Sequence, residues 1–256
     1  MVALTSGQVA TLSSAQMASL STDQLAAIEA ADIKAITTGA LRALSSAQID
    51  ALTSDQLRAL SSAQLNALTT NPQVIGLTTD DLNVLTTDQI ARLSTTQVQA
   101  LTTGQLSNLT TDNLNAMGTG QFATLSSAQF GALTTDQLAR LETADLRAVT
   151  TAALRGLSSD QVQSLTSDEV SSLSTAQIST LTTLQVKGLD AVDLTAMTSA
   201  QIAALNSAQA AALSTDQLSA IDAADMRALT TAALRALSST QLDGLTSHQL
   251  RALSSS

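Results

Sequence analysis

Aliphatic residues recur at every eighth position of this chain. Leu44, Leu52, Leu60 and Leu68 stand eight apart, and the spacing runs from Leu4 to Leu253. Of 31 intervals, 30 are eight residues long; the exception, Leu68 to Leu77, is nine and contains Asn71 and Pro72. With the anchor as position 1, the octad reads L-(T/S)-(T/S)-x-Q-(L/I/V)-x-A, and Ala210 is the one small residue at position 6. No linker interrupts the pattern, so residues 1–256 are read as a single repeat domain with one irregular repeat at 68–76.

Three architectures compete for such a pattern. In one continuous helix, each octad would turn the apolar stripe by about 80°, and no fixed face would survive. A β-solenoid would need alternation and β-branched or aromatic residues, whereas Ala, Gln, Leu, Arg and Asp dominate. A chain of short helices fits. Thr53-Ser54-Asp55-Gln56 is a capping box, with Leu52 and Leu57 at the two positions of a hydrophobic staple. The fold expected is therefore an all-α solenoid of short capped helices, one per octad.

The charges test this register independently. Nineteen of the 21 acids lie at positions 2, 4 or 5, the expected cap and first turn, as at Asp23, Asp55, Asp88 and Asp216. Nine of the 11 basic residues lie at position 7, near the expected carboxyl end, among them Arg42, Arg58, Arg147, Arg155, Arg227 and Arg235. That order complements the helix dipole, and it sets up i,i+3 pairs such as Asp55 with Arg58.

One octad cannot stand alone. Burying its two large aliphatics gives ~4 kcal/mol, while ordering eight residues costs on the order of 10 kcal/mol. Stability must come from stacking, and Ala or Gly at position 8 (Gly76, Gly156, Gly188, Gly244) lets neighbouring helices approach closely.

A sixteen-residue super-period overlies the octads, because Thr-Asp-Gln and Ser-Ala-Gln versions tend to alternate. The acid pairs Glu29/Asp32, Glu142/Asp145, Asp190/Asp193 and Asp222/Asp225 all fall on even octads. An even number of helices per superhelical turn follows, two or four. Four is preferred, because a capped corner leaves almost no loop for a full reversal. Blocks beginning at Ser21, Thr134 and Ser214 share their order across five octads, as duplication of a forty-residue segment would produce. Leu25–Ile36 and Leu138–Val149 lack a Ser/Thr cap, so two octads are expected to fuse into one longer helix at each place. At Asp190 and Asp222 the acid can itself cap. In the nine-residue interval, Thr70 is expected to cap and Pro72 to sit in the first turn.

Composition narrows the function. There is no Cys, Trp or Tyr, so disulfides and thiolate metal sites are excluded. The net charge of −10 argues against a nucleic-acid partner. No apolar run is long enough to span a membrane, and the first thirty residues show no signal peptide.

Candidate chemistry is sparse. His248 occupies position 4, where several small or polar residues are accepted, and is read as a solvated helix residue. Ser and Thr hydroxyls at position 2 are assigned to caps, leaving no activated nucleophile. The acid pairs match no calcium-loop pattern. Phe122 and Phe130, at position 6 of consecutive octads, are read as packing residues in preference to an interaction patch. The Asn108-Leu109-Thr110 sequon falls where the repeat itself dictates Leu-Thr. No catalytic, cofactor-binding or metal-binding residue is assigned, and no enzyme is expected.

Leu101-Thr-Thr-Gly-Gln-Leu and Leu133-Thr-Thr-Asp-Gln-Leu resemble the L-T-T-x-Q octapeptide arrays of very large bacterial surface or secreted proteins, often labelled adhesin-like or haem-utilisation-like. The resemblance covers essentially the whole chain and implies a secreted or cell-surface bacterial setting. A haem role has no ligand pair here. The function expected is a structural or spacer scaffold cut from a longer array, since the sequence stops inside the repeat at Leu253-Ser-Ser-Ser256. Without polar terminal caps, it is expected to associate end to end through its terminal repeats. The alternative is a binding module that uses the superhelix surface or groove for a peptide, glycan or cell-surface ligand, with position 7 setting specificity. The nine-residue interval and Ala210 speak for natural drift over a designed consensus.

Overall fold

The computed structural model of the protein describes residues 4–254; Ser255 and Ser256 of the terminal serine run lie outside them. The described residues form 31 short helical segments and no strand. Most of them restart where the sequence places a cap. Before Ser54–Ala59, Thr53 is extended (φ −69°, ψ 158°) and its hydroxyl accepts from Gln56 N at 3.3 Å. Gln56 Oε1 accepts from Thr53 N at 2.8 Å, which completes the box. Leu52 and Leu57 are both buried, as a hydrophobic staple requires.

Contacts divide the chain into two compact units, Met1–Thr124 and Leu125–Ser256. Inside each unit, helices pack on those three octads away. In the first, Ala30–Ile33 packs on Ser54–Ala59 and Thr38–Arg42 on Ser62–Ala67. In the second, Ser159–Gln163 packs on Thr183–Gly188 and Ser207–Ala212 on Thr231–Arg235. Side-chain bonds reach one octad further. Gln56 donates to the carbonyls of Leu25 and Ile28, which end the helix four octads earlier. Gln201 does the same to Val170 and Leu173. A turn of this solenoid therefore holds between three and four helices, and neither of the even numbers expected from the acid octads, two or four, is met. Each helix starts over the end of one helix below and finishes over the start of the next. Positions 1 and 6 of the internal octads fill the interior, where the lack of aromatics is met by Leu, Ile and Val.

Position 8 sets the spacing between turns. Gly156 and Gly188 lie so close to the helices three octads before them that an added Cβ would strike the backbone carbonyls of Ser127 and Ser159. Neither glycine has a positive φ, so it is space, not backbone conformation, that demands them. Gly156→Ala is expected to lower stability by about 1–3 kcal/mol through overpacking against backbone that cannot yield. Gly120→Ala, with no atom within 4 Å, should be neutral or slightly stabilising. Urea denaturation of the two variants side by side checks this.

Two expectations fail. The segments from Leu25 to Ile36 and from Leu138 to Val149 do not fuse: Thr22–Ala26 and Ala30–Ile33 are separate helices, as are Thr135–Leu138 and Thr143–Ala148. Glu29 (φ −64°, ψ 140°) and Glu142 (φ −68°, ψ 137°) are extended although neither side chain makes a cap bond. The break is what keeps Ile28 with Ile33, and Leu141 with Leu146, buried in the interior. A continuous helix would rotate one member of each pair outward, so packing overrides local propensity. At Asp190 the acid does cap, accepting from Val192 N and Asp193 N, and Asp222 accepts from Ala223 N.

In the nine-residue interval the capping place belongs to Thr69, not Thr70. Thr69 N donates to Gln73 Oε1 at 2.8 Å, Asn71 leaves helical geometry (φ −134°, ψ 125°), and the Asn71–Pro72 bond is cis. Gln73 still donates to Leu41 and Leu44 carbonyls, both at 2.8 Å. The extra residue is absorbed at the corner so that this bond survives.

Candidate functional site

The most organised polar feature of the protein is its ladder of position 5 side chains. Gln64 is a typical rung. Its Oε1 accepts from Ser61 N at 2.9 Å, holding its own helix start, while its Nε2 donates to Ile33 O at 2.8 Å and Ile36 O at 2.9 Å in the turn before. Gln97, Gln105, Gln121, Gln185 and Gln209 repeat the arrangement within their units. These side chains are buried and satisfied at both ends. A helix six residues long leaves most of its last carbonyls without partners, and the rung supplies donors for two of them.

The sequence showed half of this. The capping box accounts for Oε1 but accepts Glu as readily as Gln. The near absence of Glu at position 5, with Glu169 alone there, is the signal that the amide's other half is also engaged.

Position 7 is engaged too. Arg42 Nε donates to Ala67 O and Arg58 Nε to Val84 O, each at 3.0 Å and three octads ahead. Asn83 bridges in the same direction, donating to Asn108 O and accepting from Thr110 N. Thr195 reaches Ala220 O at 3.1 Å. The helix-dipole argument placed these cations at the correct end but missed their partners in another turn. The Asp55–Arg58 pair does form, at 3.8 Å, between exposed side chains where such pairs contribute little.

The remaining residues of interest fall out as follows. His248 is exposed in the first turn of Ser247–Ser254. Phe122 and Phe130 are fully buried and so belong to the core, not to a surface patch. Of the acid pairs, Asp32 accepts a hydrogen bond from Ser6 Oγ and Asp225 one from Ser199 Oγ. Burial, reinforced by the charge of Glu142, pushes the Asp145 carboxyl up to about 6. Burial does the same for Asp193, also to about 6, with the charge of Asp190 adding and its backbone hydrogen bond opposing. Among the described residues no three His, Cys, Asp or Glu side chains come together as metal ligands would. A cleft of about 200 Å³ beside the irregular repeat is lined by Ser46, Ala47, Asp50, Gly76 and Thr78. Of its hydroxyl groups, that of Thr78 already donates to Asp81 Oδ2 at 2.7 Å as part of its own helix start. Among the described residues no helix is long and apolar enough to cross a membrane.

What this arrangement can do is bind another turn of itself. Each turn offers amides and position 1 side chains on one face, and carbonyls and position 6 side chains on the other. No curated protein matches the chain. The ALTTAQ repeat pattern matches residues 25–60, 74–111, 109–143, 138–175, 186–221 and 218–255. With six matches over most of its length, the chain belongs to the ALTTAQ repeat family.

Proposed function

We propose that the array is a structural spacer that holds other parts of a large bacterial surface or secreted protein apart and associates end to end. The observation that carries this reading is the commitment of polar groups inward. Hydroxyls cap, amides and position 7 side chains tie turn to turn, and little is left to act on a substrate. The bacterial, exported setting rests on the resemblance of the L-T-T-x-Q octads. The reading includes no catalytic role.

Wherever an array of this repeat is interrupted, the two faces of the break are unlike. At the amino-terminal turn, Gln8, Gln16 and Gln24 are exposed and Leu4, Leu12 and Leu20 only half buried. At the carboxyl-terminal turn, Leu242 and Leu250 at position 6 are 41% and 48% exposed. Unlike faces favour head-to-tail contact between two copies, a heterologous association. Sedimentation velocity of the 256-residue protein should show association that rises with concentration and is abolished in L242K/L250K. A strict monomer at high concentration would remove the end-to-end part of the proposal.

A binding role has one observation in its favour. Leu184 and Val192, at position 4 of consecutive octads, are 67% and 64% exposed where most other octads carry small or polar residues. Against it, position 7, the place where specificity was expected, is partly taken up by backbone bonds between turns.

A further inference from the structure

Among the described residues four buried rungs of the ladder are acids, Asp32, Asp145, Glu169 and Asp193, and the last two keep the bond to their own helix start. Glu169 and Asp193, both inside the unit Leu125–Ser256, occupy position 5 and are 2% and 3% exposed. One oxygen of each does what a glutamine Oε1 does. Glu169 Oε2 accepts from Thr166 N at 2.6 Å and from Thr166 Oγ1 at 3.0 Å; Asp193 Oδ2 accepts from Asp190 N at 3.0 Å. The octad register assigns the other oxygen the place that the amide nitrogen holds in a glutamine rung. In the neighbouring rungs Gln177, Gln185 and Gln201, that nitrogen donates to carbonyls 31 and 28 residues earlier. The same offsets set the carbonyls of Leu138 and Leu141 before Glu169, and those of Val162 and Leu165 before Asp193.

A carboxylate has no proton to give a carbonyl, and its charge would stand against carbonyl oxygens in a low-dielectric interior. A neutral carboxylic acid has one O–H to donate and so restores one of the two bonds that a glutamine amide makes there. We propose that Glu169 and Asp193 are proton-operated rungs: as neutral acids they donate to the turn before, and on ionising they release it, so the array is tied more firmly in mildly acidic surroundings.

The charged surroundings favour the neutral form. Glu169 has Asp168 on its own first turn, Asp145 and Arg147 on Thr143–Ala148, and Asp193 on Ala191–Ala196. Asp193 has Asp190 at its own cap, Asp168 and Glu169 on Ser167–Ser172, and Asp216 on Thr215–Ala220. Of these, Asp168 acts on Glu169 and Asp190 on Asp193, both like charges. Both carboxyls are accordingly raised from their ordinary values, with burial the first cause. Because the folded chain then holds these protons more tightly than the unfolded chain, the stabilisation is complete below the ordinary carboxylate range. It is lost as pH rises through the folded value, about 6 for Asp193.

The test is thermal unfolding of the full chain at about pH 4 and about pH 7.5, beside E169Q/D193N, whose amides need no proton, and D216N, which changes an exposed acid. The parent protein and D216N should lose on the order of 5 °C in Tm between the two conditions. E169Q/D193N should be the more stable at the higher pH and lose clearly less. Infrared spectra at about pH 5 should contain a carboxylic-acid carbonyl band that is weaker in the double variant, where Asp145 still contributes to it. Equal pH dependence in all three proteins, or acid bands that do not differ, would overturn the proposal.

Discussion

Gln64→Ala is expected to lower stability by about 2–4 kcal/mol, far more than removal of a surface amide. The variant leaves Ser61 N without its side-chain acceptor and strips two buried carbonyls, Ile33 O and Ile36 O, of their donor. Buried polar groups left without partners cost about 1–3 kcal/mol each, moderated where a backbone bond already serves the same carbonyl. Gln16→Ala is the control. Gln16 is exposed and accepts from Ser13 N at 2.9 Å, so only the capping contribution of about 1 kcal/mol should go. Hydrogen exchange should show increased opening of Ser62–Ala67 and of the helix four octads earlier in the Gln64 variant. Equal losses from the two substitutions would mean that the amide's reach between turns contributes nothing.

Phe130→Ala should cost about 3–5 kcal/mol, the second large effect. The ring is fully buried at position 6, and the short helix that carries it, Ser127–Phe130, cannot collapse into the void without moving its capped corners. Phe130→Leu restores the commonest residue at that position of the octad and should cost no more than about 1.5 kcal/mol. Urea denaturation of both variants measures the difference. Because repeat arrays need not unfold in one step, midpoints and slopes should be compared together.

Both effects bear on what could be read from the chain alone. The capped octad was legible because its signals are local: Thr53, Gln56, Leu52 and Leu57 lie within six positions and act on the same helix start. The evenness of the acid octads pointed instead to an even number of helices per turn, which packing at three octads and side-chain bonds to the fourth do not give. What stayed hidden lies about thirty residues away in sequence. The Nε2 of Gln64, the guanidinium of Arg42 and the missing Cβ of Gly156 each have their partner in another turn. A single octad holds no record of that partner.

The failed fusions mark the same boundary. Leu25–Ile36 consists of good helix formers without a Ser/Thr cap, and local propensity favours one long helix there. Glu29 is nevertheless extended, because only a break leaves both Ile28 and Ile33 in the interior. Hydroxyls and amides three residues apart determined by themselves where most of the helices begin. The stacking of turns decided which helices meet, how closely, and what becomes of an acid on the ladder. Those outcomes depend on burial and on carbonyls brought together only once the chain has wound over itself.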